Sequence, residues 1–442
     1  MENIPRFNPY TMTDDQILKV HINNNASFKW VLSAIQNNQN ISPSTHILIT
    51  GAHGMGKSFL LRRLQVHFKH YNTIALFLFP EITSNMYHPD DFLINLQSMI
   101  SKNFCSSLPR WPKGSGDNWQ KHGKNIQTLV KQSPYKHIIV CIENLDSMLT
   151  NPGIFSNASK RKQLQNFLAD SSFLTLITTQ TGALSPGTSY FFDNFTKHSL
   201  SSWLARDHAP YLKQIFFMHN IPYEQHPKIK LKALKYFTGG NPRNVLIMAD
   251  ILKYNDIFKT IQAFEKSIDL LTPYYQNQLR SLLPLHRLLL DVIFRCTATY
   301  STDDLASLVQ ADEKDISQHI SLLVQQGYVR TEQNNGRNPY IIINDHLFAH
   351  YYRMRHVSYQ EHPGELAAVS QFLTTFYDHQ ELKKLAQAFF KQGNTLVARD
   401  LMHIILADFD LSIDKLSWSD DISSLFQAVD ICESQNFQLP KK

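Results

Sequence analysis

The sequence predicts an α/β protein: a parallel sheet built around a phosphate-binding loop, then helices and a hairpin that resemble a winged helix, and an all-α C-terminal module. Three observations carry this. Gly51-Ala52-His53-Gly54-Met55-Gly56-Lys57-Ser58 fits G-x-x-x-x-G-K-[ST] without a mismatch. Apolar runs recur at 72–79, 137–142 and 174–180, as in strands covered on both faces. Residues 285–343 then give helical stretches followed by two strand-like runs.

The loop has the right setting. His46–Thr50 reads as a short buried strand, and Phe59–Leu64 opens an apolar-periodic helix. Glycines let backbone N–H groups turn inward onto phosphates, at a helix start that favours anions. In such a loop Lys57 reaches the β- and γ-phosphates and the Ser58 hydroxyl holds Mg²⁺. The binding set is therefore Gly51, Ala52, His53, Gly54, Met55, Gly56, Lys57, Ser58 and Phe59. The competing reading is a glycine-rich turn with a surface lysine.

Composition bounds the rest. At 442 residues and 43% hydrophobic, the chain can bury the cores of two or three domains. Four cysteines, never spaced C-x-x-C, argue against a disulfide framework and a zinc site. The histidines show no H-E-x-x-H pattern. No leader opens the chain and no apolar run approaches the ~18 residues of a membrane span, so a cytoplasmic protein without membrane contact is expected. The net charge of +6 is uneven: residues 361–442 sum to −5 and the first 360 to +11. A basic front part permits contact with nucleic acid.

Residues 1–45 are polar, with one helix expected over Ser27–Gln36. A second helix is expected over Asp90–Phe104. Leu108–Lys124, rich in Gly and Pro, reads as a long exposed loop. Its Trp111 and Trp119 are either stacking groups for a nucleic acid or rings tucked onto the body. The strand ending at Ile142 is followed by Glu143, Asn144, Leu145 and Asp146. The first acid past the strand, Glu143, is assigned to magnesium. Asn144 then stands in the slot that usually orients the attacking water; an amide can position water but cannot take its proton. A helix over Ser159–Ala169 starts with Lys160-Arg161-Lys162, and Phe195–Trp203 is a candidate last strand. Arg206–Met218 reads as helical. In Thr238-Gly239-Gly240-Asn241-Pro242-Arg243, Asn241 can cap a helix that Pro242 begins. Arg243 lies in the first turn, where its long side chain can reach back to a phosphate.

GAHGMGKS, CIENLD, LTLITTQ and TGGNPRN, in this order, resemble the Walker A, Walker B, sensor-1 and sensor-2 elements of AAA+ ATPases, nearest the origin-recognition-like and STAND-like branches. The resemblance covers roughly residues 20–265. It implies a five-stranded parallel core, a helical lid carrying Arg243, and ATP with Mg²⁺ as ligands. It places the 174–180 strand beside the phosphate strand, with Thr179 among the residues able to touch the γ-phosphate or its water. It places adenine contacts near the N-terminus, with Val20 and Ile22 as candidates. Two departures matter. Asn144 replaces the usual glutamate, and 182–194, where an arginine finger is carried, has no Lys or Arg. Losing both predicts slow hydrolysis without loss of ATP binding.

The domains expected are a core at 1–205, a lid at 206–282, a winged helix at 283–358 and a helical module at 359–442. Within the winged helix, 285–298, 301–309 and 312–326 are helices and Tyr328–Thr331 pairs with Tyr340–Ile343. Its third helix carries Asp312, Glu313 and Asp315 against Lys314, which suits a protein partner at least as well as DNA. In the acidic C-terminal part, Glu381–Gln392 and Thr395–Ala407 read as a helical hairpin, a docking module or a cap. The functional expectation is an ATP-dependent switch or assembly protein acting on a protein partner. Proteins of this kind often serve bacterial defence or mobile-element systems. The alternative is an oligomeric loader or remodeller acting on DNA, with Arg161, Arg206 or a partner's arginine replacing the missing finger.

Overall fold

The computed structural model describes residues 8–19, 25–38, 45–79, 86–104, 118–150, 152–182, 184, 187–202, 228–254, 256–295, 299–334, 337–356 and 369–408. The chain forms two compact units. The first comprises 1–218, 240–246 and 300–344; the second comprises 219–239, 247–299 and 345–442.

The first unit is built on a five-stranded parallel sheet: β1 (His46–Thr50), β2 (Ile74–Phe79), β3 (His137–Ile142), β4 (Leu174–Gln180) and β5 (Phe195–Ser199), in the order β2-β3-β4-β1-β5. β4 lies beside β1, with Ile47 opposite Ile177 and Thr50 opposite Gln180. Residue alternation divides each strand between two cores. Leu48, Ile138, Val140 and Ile142 point into one, with α4 (Pro89–Phe104) and α7 (Ala158–Asp170). Ile47, Ile49, Ile139 and Cys141 point into the other, with α2 (Asn25–Asn38) and α3 (Lys57–Phe68). Continuous apolar runs are what a doubly covered sheet requires.

The exposed loop expected up to Lys124 is corrected. Residues 105–117, with Trp111, lie outside the described residues, but α5 runs Trp119–Gln132. Its buried residues Trp119, His122, Gly123, Ile126 and Val130 keep helical spacing. The Gly- and Pro-rich stretch just before it masks that period. Trp119 is 6% exposed and meets Phe155 and Phe167 edge-on at 5.8 and 5.9 Å. It is a core residue and not a stacking group. Val20, Ile22, Arg206 and the expected helix at 206–218 also lie outside the described residues.

A short helix absent from the sequence expectation, α1 (Asp14–Lys19), lies along α3. Met12, Ile17 and Val66 form a small core there, with Phe59 packed against it. Arg62 of α3 and Lys69, just past its end, donate to the Asp14 carboxylate at 2.6 and 2.5 Å. The capping pattern explains the helix: Gln16 N–H donates to Thr13 Oγ1 at 3.2 Å and Thr13 N–H to Gln16 Oε1 at 3.0 Å.

Residues 300–344 pack within this same unit. Thr302–Val309 starts with a capping box of Ser301 and Asp304, and Glu313–Gln325 is capped by Asp312. The hairpin β6 (Val329–Asn334) and β7 (Arg337–Ile343) is antiparallel, and Tyr300 pairs with Ile341 at its edge. Between helix and hairpin, Gly327 adopts φ 84°, and Asn344 Nδ2 donates to its carbonyl at 2.9 Å.

The second unit is helical. Ile257–Ser281 is its long helix, with Phe264 and Tyr275 fully buried. Phe264 stacks on Phe372 at 4.1 Å and Tyr275 on Phe348 at 4.5 Å. The helix Pro284–Arg295 belongs to this unit, where Arg353 donates to the Phe294 carbonyl at 3.0 Å. His379–Lys391 and Thr395–Asp408 pack as a helical hairpin, as their Gly393-Asn394 turn predicts. No helix among the described residues is long and apolar enough to cross a membrane.

Candidate nucleotide site

Parallel strands deliver their carboxyl ends to one edge of a sheet, and ligands of such folds bind there. At that edge β1 runs into Gly51–Gly56 and then α3. Gly54 and Gly56 have φ 82° and 88°, a region costly for residues with a Cβ. A Cβ on Gly56 would meet nothing within 4 Å, so the cradle is open on that side. Lys57 is buried, and its ammonium donates to the Gly51 and Ala52 carbonyls at 2.7 and 2.9 Å. Met55 and Ala52 are buried in the core beneath the loop, and Ser58 is half-buried at the first turn of α3. Phe59 packs toward Met12 and Ile17.

Glu143 follows β3 directly and is 5% exposed; its N–H donates to the Phe79 carbonyl at 3.2 Å. Burial and then the Glu143 carboxylate raise the pKa of Tyr10 far above the usual value, with the Ser58 hydroxyl opposing, while the Tyr10 hydroxyl itself closes no hydrogen bond. Nothing in the sequence signals this, since Tyr10 belongs to no motif and is far from both in the chain. Asn144 adopts φ 49° and ψ 49°, the left-handed region. Asparagine tolerates that region better than most residues. Its N–H donates to Thr179 Oγ1 at 3.1 Å, and the next N–H, of Leu145, to Thr178 Oγ1 at 3.4 Å. The buried Thr179 hydroxyl thus holds the turn that carries Asn144. Thr188 donates to Asp146 Oδ1 at 2.5 Å, so Asp146 fastens the 187–192 turn.

The GGNPR segment meets the loop from above. Pro242–Met248 starts with Asn241, whose Oδ1 accepts from Arg243 N–H at 3.0 Å. The Asn241 amide donates to the His53 carbonyl at 2.7 Å, a contact with no sequence signal. The crowded loop around His53, with Lys57 and Arg243 nearby, holds its imidazole below the usual value, although its outer edge is exposed. Arg243 is therefore close enough to the loop for its charge to be felt there. A Cβ on Gly54 would lie 2.4 Å from Asn241 Oδ1. Gly54→Ala is expected to cost about 2 kcal/mol, combining left-handed strain with loss of the Asn241–His53 hydrogen bond. Denaturant unfolding checks this; wild-type stability would refute it.

Two further glycines have close neighbours. Gly327 faces the loop, where an added Cβ would lie 3.0 Å from Ala52 Cβ. A Cβ on Gly182 would meet Gln326 Cγ at 3.0 Å. The candidate finger Arg161 is committed elsewhere: it donates to the Leu149 carbonyl at 2.9 Å, the Ser156 carbonyl at 2.6 Å and the Tyr190 hydroxyl at 2.6 Å.

No family model matches the sequence, and no curated protein sequence matches it. Among solved structures, the Walker-type ATPase of Pyrococcus abyssi aligns with a TM-score of 0.52 at 16% identity, over 75% of this chain and 96% of that one. Aeropyrum pernix ORC1, solved in complex with DNA, aligns at a TM-score of 0.38 and 14% identity, over 76% of this chain and 93% of that one. The Thermotoga maritima RuvB Holliday junction branch migration motor aligns at 0.36 and 13% identity, over 72% and 92%. The first alignment, together with the strand order and the loop, shows that the chain shares the α/β fold of that Walker-type ATPase.

Proposed function

We propose that the chain binds ATP with Mg²⁺ at this edge of the sheet and works as a nucleotide-dependent switch, hydrolysing ATP slowly and controlling the engagement of a protein partner. The observation that carries it is the placement of Lys57, Ser58 and the buried Glu143 at the carboxyl edge of one parallel sheet, which also carries an open glycine cradle. These residues fit a magnesium nucleotide: a buried ammonium suits phosphate, and a hydroxyl with a carboxylate suits a hard cation. Bound Mg²⁺ would neutralise phosphate charge.

In this reading Gly51–Phe59 form the nucleotide cradle and its helix start, and Arg243 supports the phosphates. Ser58 and Glu143 hold the metal. Asn144 positions water, and Thr179 positions Asn144. Slow turnover follows from an amide in the acid's slot and from the prior commitment of Arg161. Coupling to the C-terminal part is supported by the packing of Gly327 against Ala52, which exposes 300–344 to changes in loop shape. The domains we assign are the core 1–205, lid 206–282, winged helix 283–358 and helical module 359–442. The partner docks on the winged helix or the acidic module, and a bacterial defence or mobile-element setting suits such a switch.

The test is ATP binding by calorimetry beside turnover by phosphate release. Binding with a rate at least about 100-fold below the ~10 s⁻¹ median for enzymes is expected. Brisk turnover would point to a motor whose catalytic groups lie elsewhere. One observation favours a second reading, an oligomeric loader or remodeller on DNA: the +11 net charge of the first 360 residues. It predicts DNA affinity that falls steeply with salt. Negligible affinity at low salt would set it aside.

A further inference from the structure

The helix Lys228–Thr238 of the second unit turns a basic face to solvent. Lys232, Lys235 and Tyr236 are exposed and stand at i, i+3 and i+4, so they share one face. The opposite side is core: Ala233, Leu234 and Phe237 are buried, and Phe237 meets Phe264 and Phe372 at 5.6 and 5.8 Å. The face is held in place beside the lysines. Tyr236 lies flat on His346 at 3.7 Å, and its hydroxyl accepts from Gln371 Nε2 at 3.2 Å. Gln371 Oε1 in turn accepts from Arg353 at 2.5 Å.

No carboxylate offsets this charge from the helices packed around it. Lys228–Thr238 and its neighbours His346–His356 and Ser370–Phe376 hold four lysines, two arginines and no Asp or Glu. Among the described residues Lys232 and Lys235 close no ion pair. The helix Trp119–Gln132 also exposes two lysines, Lys121 and Lys124, and lacks acids. It packs on Pro89–Phe104, however, whose Asp90 carboxylate accepts the Asn118 N–H at 3.2 Å at its very start. Exposed cations one helical turn apart suit a repeating anion, and a nucleic-acid backbone gains affinity from the counterions such contacts release. A protein interface is instead depleted in lysine at its centre. The helix Glu313–Gln325 is a poorer phosphate surface, since Glu313 and Asp315 stand in its first turn.

We propose that Lys232 and Lys235 bind the phosphate backbone of duplex DNA, with Tyr236 fixing the helix that presents them. The inference rests on the second reading above, contact with DNA, and places that contact on Lys228–Thr238 and not on the acidic helix Glu313–Gln325. Lysine ammonium groups act on phosphates as point charges, so this surface holds DNA without reading its sequence.

The experiment follows binding of a fluorescent mixed-sequence duplex to the full chain by anisotropy across a salt series. Three double variants are compared with the wild type: Lys232→Gln with Lys235→Gln, the charge-keeping Lys232→Arg with Lys235→Arg, and the matched pair Lys121→Gln with Lys124→Gln. The first should lower the slope of log affinity against log salt by about two, one for each lysine, and weaken unrelated sequences alike. The other two should keep the wild-type slope. An unchanged slope in the first variant, or an equal fall in the first and third, would overturn the proposal and leave the DNA reading intact. A wild type that binds polyglutamate and not DNA, with that binding lost in the first variant, would make the face a dock for an acidic protein and overturn both. A wild type that binds neither at low salt would also overturn both.

Discussion

Lys57→Ala is expected to weaken ATP binding by about two orders of magnitude or more while leaving the fold in place. The ammonium is buried and lies 2.7 and 2.9 Å from the carbonyls of Gly51 and Ala52. In the bound state those two hydrogen bonds would be exchanged for charge-assisted ones to phosphate. Each such bond contributes about 1.5–3 kcal/mol, so losing the pair costs at least 3 kcal/mol, about a hundred-fold in affinity. The fold is spared because the core below the loop, Ile47, Ile49, Leu60 and Leu61, does not depend on the lysine. Arginine is no substitute, since its planar fork does not fit a site shaped for a compact ammonium. Calorimetric titration of wild type and variant, with circular dichroism as the control for folding, checks this. Unchanged affinity in a folded variant would remove the loop from the nucleotide site.

Acid is expected to destabilise both compact units between pH 6.5 and 4. His46 lies on β1 under Phe195, 5.3 Å away, with Nδ1 accepting the Leu176 N–H at 3.2 Å. Burial lowers its pKa to about 4. In the second unit His350 is 2% exposed against the edge of Phe264. Burial, with Arg353 nearby, lowers its pKa to about 3. An unfolded histidine titrates near 6.5. The unfolded chain therefore binds protons first as pH falls, and stability drops with it. Above about 6.5 both states are neutral and the full stability is present; it is lost as pH descends toward the folded values. Each group contributes a slope of up to about 1.4 kcal/mol per pH unit, so about 3 kcal/mol each by pH 4 is an upper bound. Thermal melts from pH 7.5 to 4.5 should show a steady fall in Tm, shallower in His46→Asn. A Tm independent of pH across that window would show that these rings are solvated.

The sequence by itself determined the sheet and the loop. Strands at 46–50, 74–79, 137–142 and 174–180 are readable because a doubly covered strand must be apolar on both faces. The loop is readable because a phosphate cradle needs glycine conformations in a fixed order between a strand and a helix. The cap at Asn241 belongs here too, since it acts within two residues of itself.

Only the tertiary structure decided what those elements bring together. Trp119 reads as a nucleic-acid platform or as a ring tucked onto the body until Phe155 and Phe167 are found around it. Arg161 reads as a free cation until its guanidinium is seen spent on two carbonyls and Tyr190. Asn144 reads as a lost acid, yet its left-handed backbone, held by Thr179 of the neighbouring strand, shows that the turn also favours asparagine. Tyr10 carries no signal at all. Sequence patterns report forces acting over a few residues: periodicity, turn conformation and capping. Where residue 10 lies relative to residue 143 depends on strand order and helix docking, which arise when the whole core is buried at once.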